Sequence, residues 1–125
     1  MTGMLKVFSL DVYSLLDPSS NLSFVTPLLA KEFDILPDIL HDPLVVSTLV
    51  GDSVVAKRVY SNCPIMLPNR LSYVDLVELD MLDFDIILGM DWLHACFASI
   101  DCRTRVVGFN FPNEPVVEWR GGFYS

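Results

Sequence analysis

Residues 4–17, MLKVFSLDVYSLLD, hold two short β-prone runs in which Val7, Phe8, Val12, Tyr13, Leu15 and Leu16 supply the apolar side chains. Two strands are predicted there. The following VTPLLAKEF offers Thr26 as a hydroxyl N-cap and Pro27 as a first helical residue, so a helix of about two turns is expected. Pro37 ends whatever follows that helix. From Pro43 to Met66, PLVVSTLVGDSVVAKRVYSNCPIM reads as two apolar strands joined at Gly51 and Asp52, where glycine gives the permissive backbone of a tight reversal. Further strands are predicted over 73–79, YVDLVEL, and over 86–89, IILG, on either side of an acidic stretch at 80–85. Asp91 stands where a short helix, WLHAC, begins. Two last strands around 98–102 and 105–111 precede a loose tail marked by Pro112, Asn113, Pro115, Gly121 and Gly122.

Many short strands, two short helices and no repeating βαβ unit point to a mainly β domain with a largely antiparallel sheet. The chain has 125 residues and is 52% hydrophobic, which fits one folded domain with its own core. Sixteen acidic against eight basic residues give a formal charge of -8, which opposes direct binding to nucleic acid. No apolar run reaches the roughly 18 residues of a membrane helix, and MTGMLKVFSLDVY makes a poor signal peptide. A cytoplasmic protein with no membrane partner is therefore expected. Cys63, Cys96 and Cys102 form no C-x-x-C pair, so reduced and mostly buried thiols are expected in place of a disulfide framework or a zinc site.

Local pattern leaves two roles open for Asp17. In SLLDPSSNLSFV, an apolar approach through Leu15 and Leu16 delivers this carboxylate into Pro18, Ser19, Ser20 and Asn21, so it is either a turn or cap residue or a catalytic group. Asp91 most simply caps the WLHAC helix. Asp80, Asp83 and Asp85 are interrupted by apolar residues and lack the glycine and closing Glu of a calcium loop, which leaves a solvated turn. His41 and His94 have no ligand partners at useful spacing and read as loop and helix-surface residues. Ser19, Ser20 and Ser23 lack a G-x-S-x-G frame. Trp92 and Phe97 read as core.

The order of strand, Asp in a small-residue turn, hairpin, and apolar-apolar-Gly strand leading into a short helix resembles a retropepsin, the single-lobe aspartic protease of retroviruses and LTR retrotransposons. VELDMLDFDIILGMDWL at 77–93 and FASIDCRTRVVGF at 97–109 are similar to the protease segment of plant gypsy-type Gag-Pol polyproteins, as are SLLDPSSNLSFVTP and STLVGDSVVAKRVYSNCPI. The resemblance implies a closed β-barrel over residues 5–119, with 120–125 belonging to a linker toward a reverse transcriptase. It implies Asp17 as the catalytic carboxylate in the turn Pro18, Ser19, Ser20, and a flap with Val50, Gly51 and Asp52 at its tip. Ile87, Leu88 and Gly89 match the structural apolar-apolar-Gly motif.

The implied activity is aspartic endopeptidase cleavage of a polypeptide, needing no cofactor or metal, in a retrotransposon particle. One chain carries one such Asp, so the implied enzyme is a homodimer whose second copy supplies the other Asp17. The family signature, Asp-Thr/Ser-Gly-Ala/Ser, reads Asp17-Pro18-Ser19-Ser20 here. Ser19 in the glycine place is expected to strain the turn or push the carboxylates apart. The rival reading is an inactive, retrotransposon-derived dimerisation or peptide-binding domain.

Overall fold

A computed structural model describes residues 1–47, 53–80 and 84–121. Ten strands and two short helices follow one another as β1 (Thr2–Val7), β2 (Leu10–Leu16), β3 (Ser23–Val25), α1 (Pro27–Ala30), β4 (Asp38–Ser47), β5 (Ser53–Leu67), β6 (Arg70–Glu78), β7 (Ile86–Leu88), α2 (Met90–Ala95), β8 (Ala98–Asp101), β9 (Val106–Phe109) and β10 (Val117–Arg120). The main sheet runs β1-β2-β7-β3-β6-β5, and pairing of β1 with β5 closes these six strands into a barrel. β4 hangs outside the barrel on β5. A smaller antiparallel sheet, β10-β9-β8, packs beside it.

Strand alternation fills the barrel. Val7, Val12, Leu16, Val25, Ile65, Leu76, Ile86 and Leu88 are fully buried, joined by Trp92 from α2 and Val107 and Phe109 from the small sheet. The Trp92 and Phe109 rings meet edge to face at 5.6 Å. The Trp92 indole N–H donates to Ser72 Oγ at 3.2 Å, and that hydroxyl donates to the Ile65 carbonyl at 2.9 Å. The tryptophan is thus core, with its polar edge satisfied.

The sheet is largely antiparallel as expected, but two parallel pairings decide the geometry of the mouth. β7 lies parallel to β2 and antiparallel to β3, and β3 lies parallel to β6. β7 is therefore wedged between the strand that enters the Asp17 turn and the strand that leaves it. β3 escapes a periodicity reading because three buried residues are too few to display a period.

Several expectations are corrected. The tail is not loose: β10 pairs with β9 from Val117↔Phe109 to Arg120↔Val106, and Trp119 Nε1 donates to the Met4 carbonyl at 3.1 Å. Val117 and Trp119 alternate inward against Glu118 and Arg120, a pattern masked by the surrounding prolines and glycines. The Thr26-capped helix has the expected length of about two turns, but its second turn, Lys31–Phe33, is 3-10, and it stops at Asp34 in the left-handed region, φ 56°. His41 lies on strand β4 rather than in a loop. Phe97 is half-exposed, with φ 52°, and its ring meets Phe111 edge to face at 5.6 Å. The hairpin exists, paired down to Ser47↔Ser53, with a register shift between Ile39 and Leu44, the stretch that holds Pro43. Its expected tip, Val50, Gly51 and Asp52, lies outside the described residues.

Candidate active site

Leu16 closes β2 beside Leu88 of β7, and the next backbone N–H, that of Asp17, donates to the Leu88 carbonyl at 2.9 Å. Alternation that turns Leu16 into the core turns Asp17 toward the opposite face, which also carries Ile87 and Phe24. A four-residue turn follows, closed by Ser20 N–H to the Asp17 carbonyl at 3.1 Å. Within it, Ser19 donates twice to one carboxylate oxygen: its N–H reaches Asp17 Oδ1 at 3.0 Å and its hydroxyl at 2.5 Å. The Ser20 hydroxyl turns away to the Leu22 carbonyl at 2.7 Å.

The strain expected of Ser19 is absent. Positive φ among the described non-glycine residues occurs at Phe8, Ser9, Asp34, Asn62, Phe97, Arg105 and Asn113, and Ser19 is not one of them. Its backbone suits an ordinary L residue, so a side chain at this place costs no left-handed strain.

Glycine is needed instead at Gly89. Met90 N–H donates to the Ser20 carbonyl at 2.7 Å and Asp91 N–H to the Asn21 carbonyl at 3.2 Å, which clamps the Asp17 turn against the start of α2. A Cβ at Gly89 would stand 2.2 Å from the Leu22 carbonyl oxygen and 2.7 Å from that of Ser20. Its φ of −96° is unexceptional, so the requirement is close backbone approach.

Ser23 completes the clamp. This fully buried hydroxyl accepts from Gly89 N–H at 3.0 Å and donates to Asp91 Oδ1 at 2.6 Å, which also accepts Trp92 N–H at 2.8 Å. Asp91 therefore sits inside the first turn of α2, while Gly89 occupies the cap position without a side chain to offer. The cap expected of Asp91 becomes a part-buried tie between β3 and α2. In sequence Ser23 is a lone serine ahead of Phe24 and Val25, with nothing local to point to Gly89 or Asp91 as its partners.

The family model described as retroviral aspartyl protease matches residues 1–114. The chain belongs to this family. Among solved structures it resembles the retroviral protease-like domain of Ddi1 from Leishmania major, with a TM-score of 0.70 at 16% identity, covering 95% of this chain and 93% of that one. It also resembles EIAV protease complexed with the inhibitor HBY-793, with a TM-score of 0.63 at 15% identity, covering 81% and 91%. No curated protein sequence matches.

In this retroviral-type aspartyl protease fold, a second apolar cluster lies outside the barrel core. Phe24, Ala56, Val77 and Leu79 are buried together, with Leu44, Val46, Val54, Val59 and Ile87 packed around them. Phe24 and Ile87 face each other across the β3–β7 ladder and form a floor beside Asp17, while Leu44, Val46, Val54 and Ala56 come from the overlying β4–β5 hairpin. The structure thus unites Asp17, Pro18, Ser19, Ser20, Leu88 and Gly89, and places Ile87 on the floor. Asp85 is exposed in a bend, as expected of a solvated turn, and from there it also grips β2: its Oδ2 accepts Tyr13 N–H at 3.1 Å and its own N–H donates to the Tyr13 carbonyl at 3.1 Å. Residues 81–83 of the same stretch, Asp83 included, lie outside the described residues. No described helix is long and apolar enough to cross a membrane.

The thiols divide by burial. Burial pushes the Cys63 thiol up to about 12 from 9.0, with the nearby Asp75 charge adding to it, and burial pushes Cys96 up to about 11. Cys102 is exposed. A thiol reagent at neutral pH is expected to titrate Cys102 alone in the folded protein and all three cysteines once it is unfolded; rapid labelling of Cys63 in native protein would contradict the packing. The contribution of Cys63 to stability is fully present below pH 9.0, where the thiol is protonated in both states, and is lost as pH rises from there through about 12.

Proposed function

We propose that two copies of this chain form an aspartic endopeptidase, with Asp17 of each copy supplying half of a carboxylate dyad. The observation that carries this reading is the Asp17 turn, rigidly clamped by Gly89 and Ser23 and set beside an apolar floor under a hairpin. Two carboxylates brought together do not both ionise easily, so the pair holds one shared proton. The ionised member takes a proton from water as its oxygen attacks the peptide carbonyl carbon, and the protonated member gives its proton to the carbonyl oxygen. Collapse of the tetrahedral intermediate breaks the C–N bond as the nitrogen is protonated, releasing acid and amine.

The substrate is an extended polypeptide running past Asp17 beside the β4–β5 hairpin, with apolar side chains against the part-exposed Ile87. The resemblance of residues 77–93 to plant gypsy-type sequences supports a Gag-Pol polyprotein as that substrate and a cytoplasmic retrotransposon particle as the setting.

The test is cleavage of casein at about pH 4 to 7, the acidic-to-neutral range suited to a shared-proton dyad, with and without pepstatin, on protein whose dimer content is measured by sedimentation. Pepstatin-sensitive cleavage whose specific activity rises with dimer fraction is expected. Folded, dimeric protein that leaves casein intact would remove the endopeptidase reading and leave an inactive binding domain.

A further inference from the structure

We infer that Ser19 is a positioning residue of the Asp17 carboxylate, its hydroxyl serving as a working part of the turn. The inference rests on the aspartic endopeptidase reading and assigns a task to the residue that departs most from the family signature. Pro18 has neither an N–H nor a side-chain donor. The Ser20 hydroxyl is committed to the Leu22 carbonyl. Among the described residues, the donors to the Asp17 side chain are the N–H and the hydroxyl of Ser19, at 3.0 and 2.5 Å, and both fall on Oδ1. Without the hydroxyl, one N–H would hold a partly exposed carboxylate that is free to rotate about its Cβ–Cγ bond.

Double anchoring of Oδ1 fixes the carboxylate plane and leaves Oδ2 to carry the shared proton or face the attacking water. Hydrogen bonds to charged groups are the strong class, and O–H···O⁻ distances of about 2.5 to 2.7 Å are typical of them. Because Ser19 keeps an ordinary backbone, the hydroxyl is placed without the strain that would otherwise work against it.

Ser19→Ala, which keeps the N–H, and Ser19→Gly are each expected to lower kcat on casein-derived peptide about tenfold with little change in KM, while Ser19→Thr restores near-normal turnover. Equal kcat in all four proteins, or a rise in Ser19→Gly, would overturn the inference. A second readout does not depend on cleavage: the Asp17 carboxyl ¹³C resonance, assigned by its loss in Asp17→Asn, should move in Ser19→Ala and stay in place in Ser19→Thr. If the parent protein cleaves nothing, the endopeptidase reading fails and this resonance alone decides. Movement in Ser19→Ala supports the anchoring, and an unmoved resonance overturns it.

Discussion

Asp17→Asn is expected to abolish cleavage, by a thousandfold or more, in a protein that stays folded. General acid–base groups typically contribute about 10² to 10⁴ in rate, and in a homodimer one substitution removes both at once. Neutral carboxamides can neither take the proton from water nor share one across the dyad. The fold has little reason to respond. Asp17 is bound to the scaffold mainly through its backbone, by its N–H to Leu88 and its carbonyl from Ser20, and Asn still offers an oxygen to Ser19. Stability should change by less than about 1 kcal/mol, read as an unchanged midpoint in urea. Mixing adds a sharper test. When Asp17→Asn chains are exchanged into the parent protein, activity should fall as the square of the parent fraction, because only dimers with two intact carboxylates work. A linear fall would mean that each chain carries a complete site, and the shared dyad would be wrong.

The parts of this architecture that show in the sequence are those set by local chemistry. Alternating apolar runs gave most strands, Thr26 and Pro27 announced α1, and the IILG run marked β7. What stays hidden depends on partners far along the chain. β3 becomes a strand because β7 and β6 flank it, not because Ser23, Phe24 and Val25 have a period. β10 is recognised by the exposed edge of β9 and by a Trp119 indole that reaches Met4, 115 residues away. The same holds at the site. Asp17 was visible as a carboxylate in an unusual turn, whereas Ser23 and Asp91 acquire their roles from a contact spanning 68 residues. Ser19 looked like a defect because a glycine signature implies a special backbone; the actual backbone at this place is ordinary, and the demand for glycine falls on Gly89.

That demand gives the second large effect. Gly89→Ala is expected to destabilise the fold by about 3 kcal/mol or more and to reduce cleavage at least about a hundredfold in whatever fraction remains folded. The added methyl would meet the Leu22 carbonyl oxygen at 2.2 Å, the Ser20 carbonyl oxygen at 2.7 Å and the Leu22 carbonyl carbon at 2.9 Å, all main-chain atoms with no rotamer to escape through. Relief requires moving the segment after Asp17 away from α2. This breaks the Met90 and Asp91 N–H bonds to Ser20 and Asn21 and pulls Ser23 from Gly89, leaving buried polar groups short of partners. Gly108→Ala is the matched control. Its methyl would meet the Ser99 hydroxyl at 3.2 Å and a Val116 methyl at 3.6 Å, both side-chain atoms at the surface of the small sheet, so a cost within about 1 kcal/mol is expected. Urea midpoints for the two variants measure the difference. If they coincide, the turn is free to retreat from α2, and the clamp on Asp17 does not have the rigidity on which a catalytic role depends.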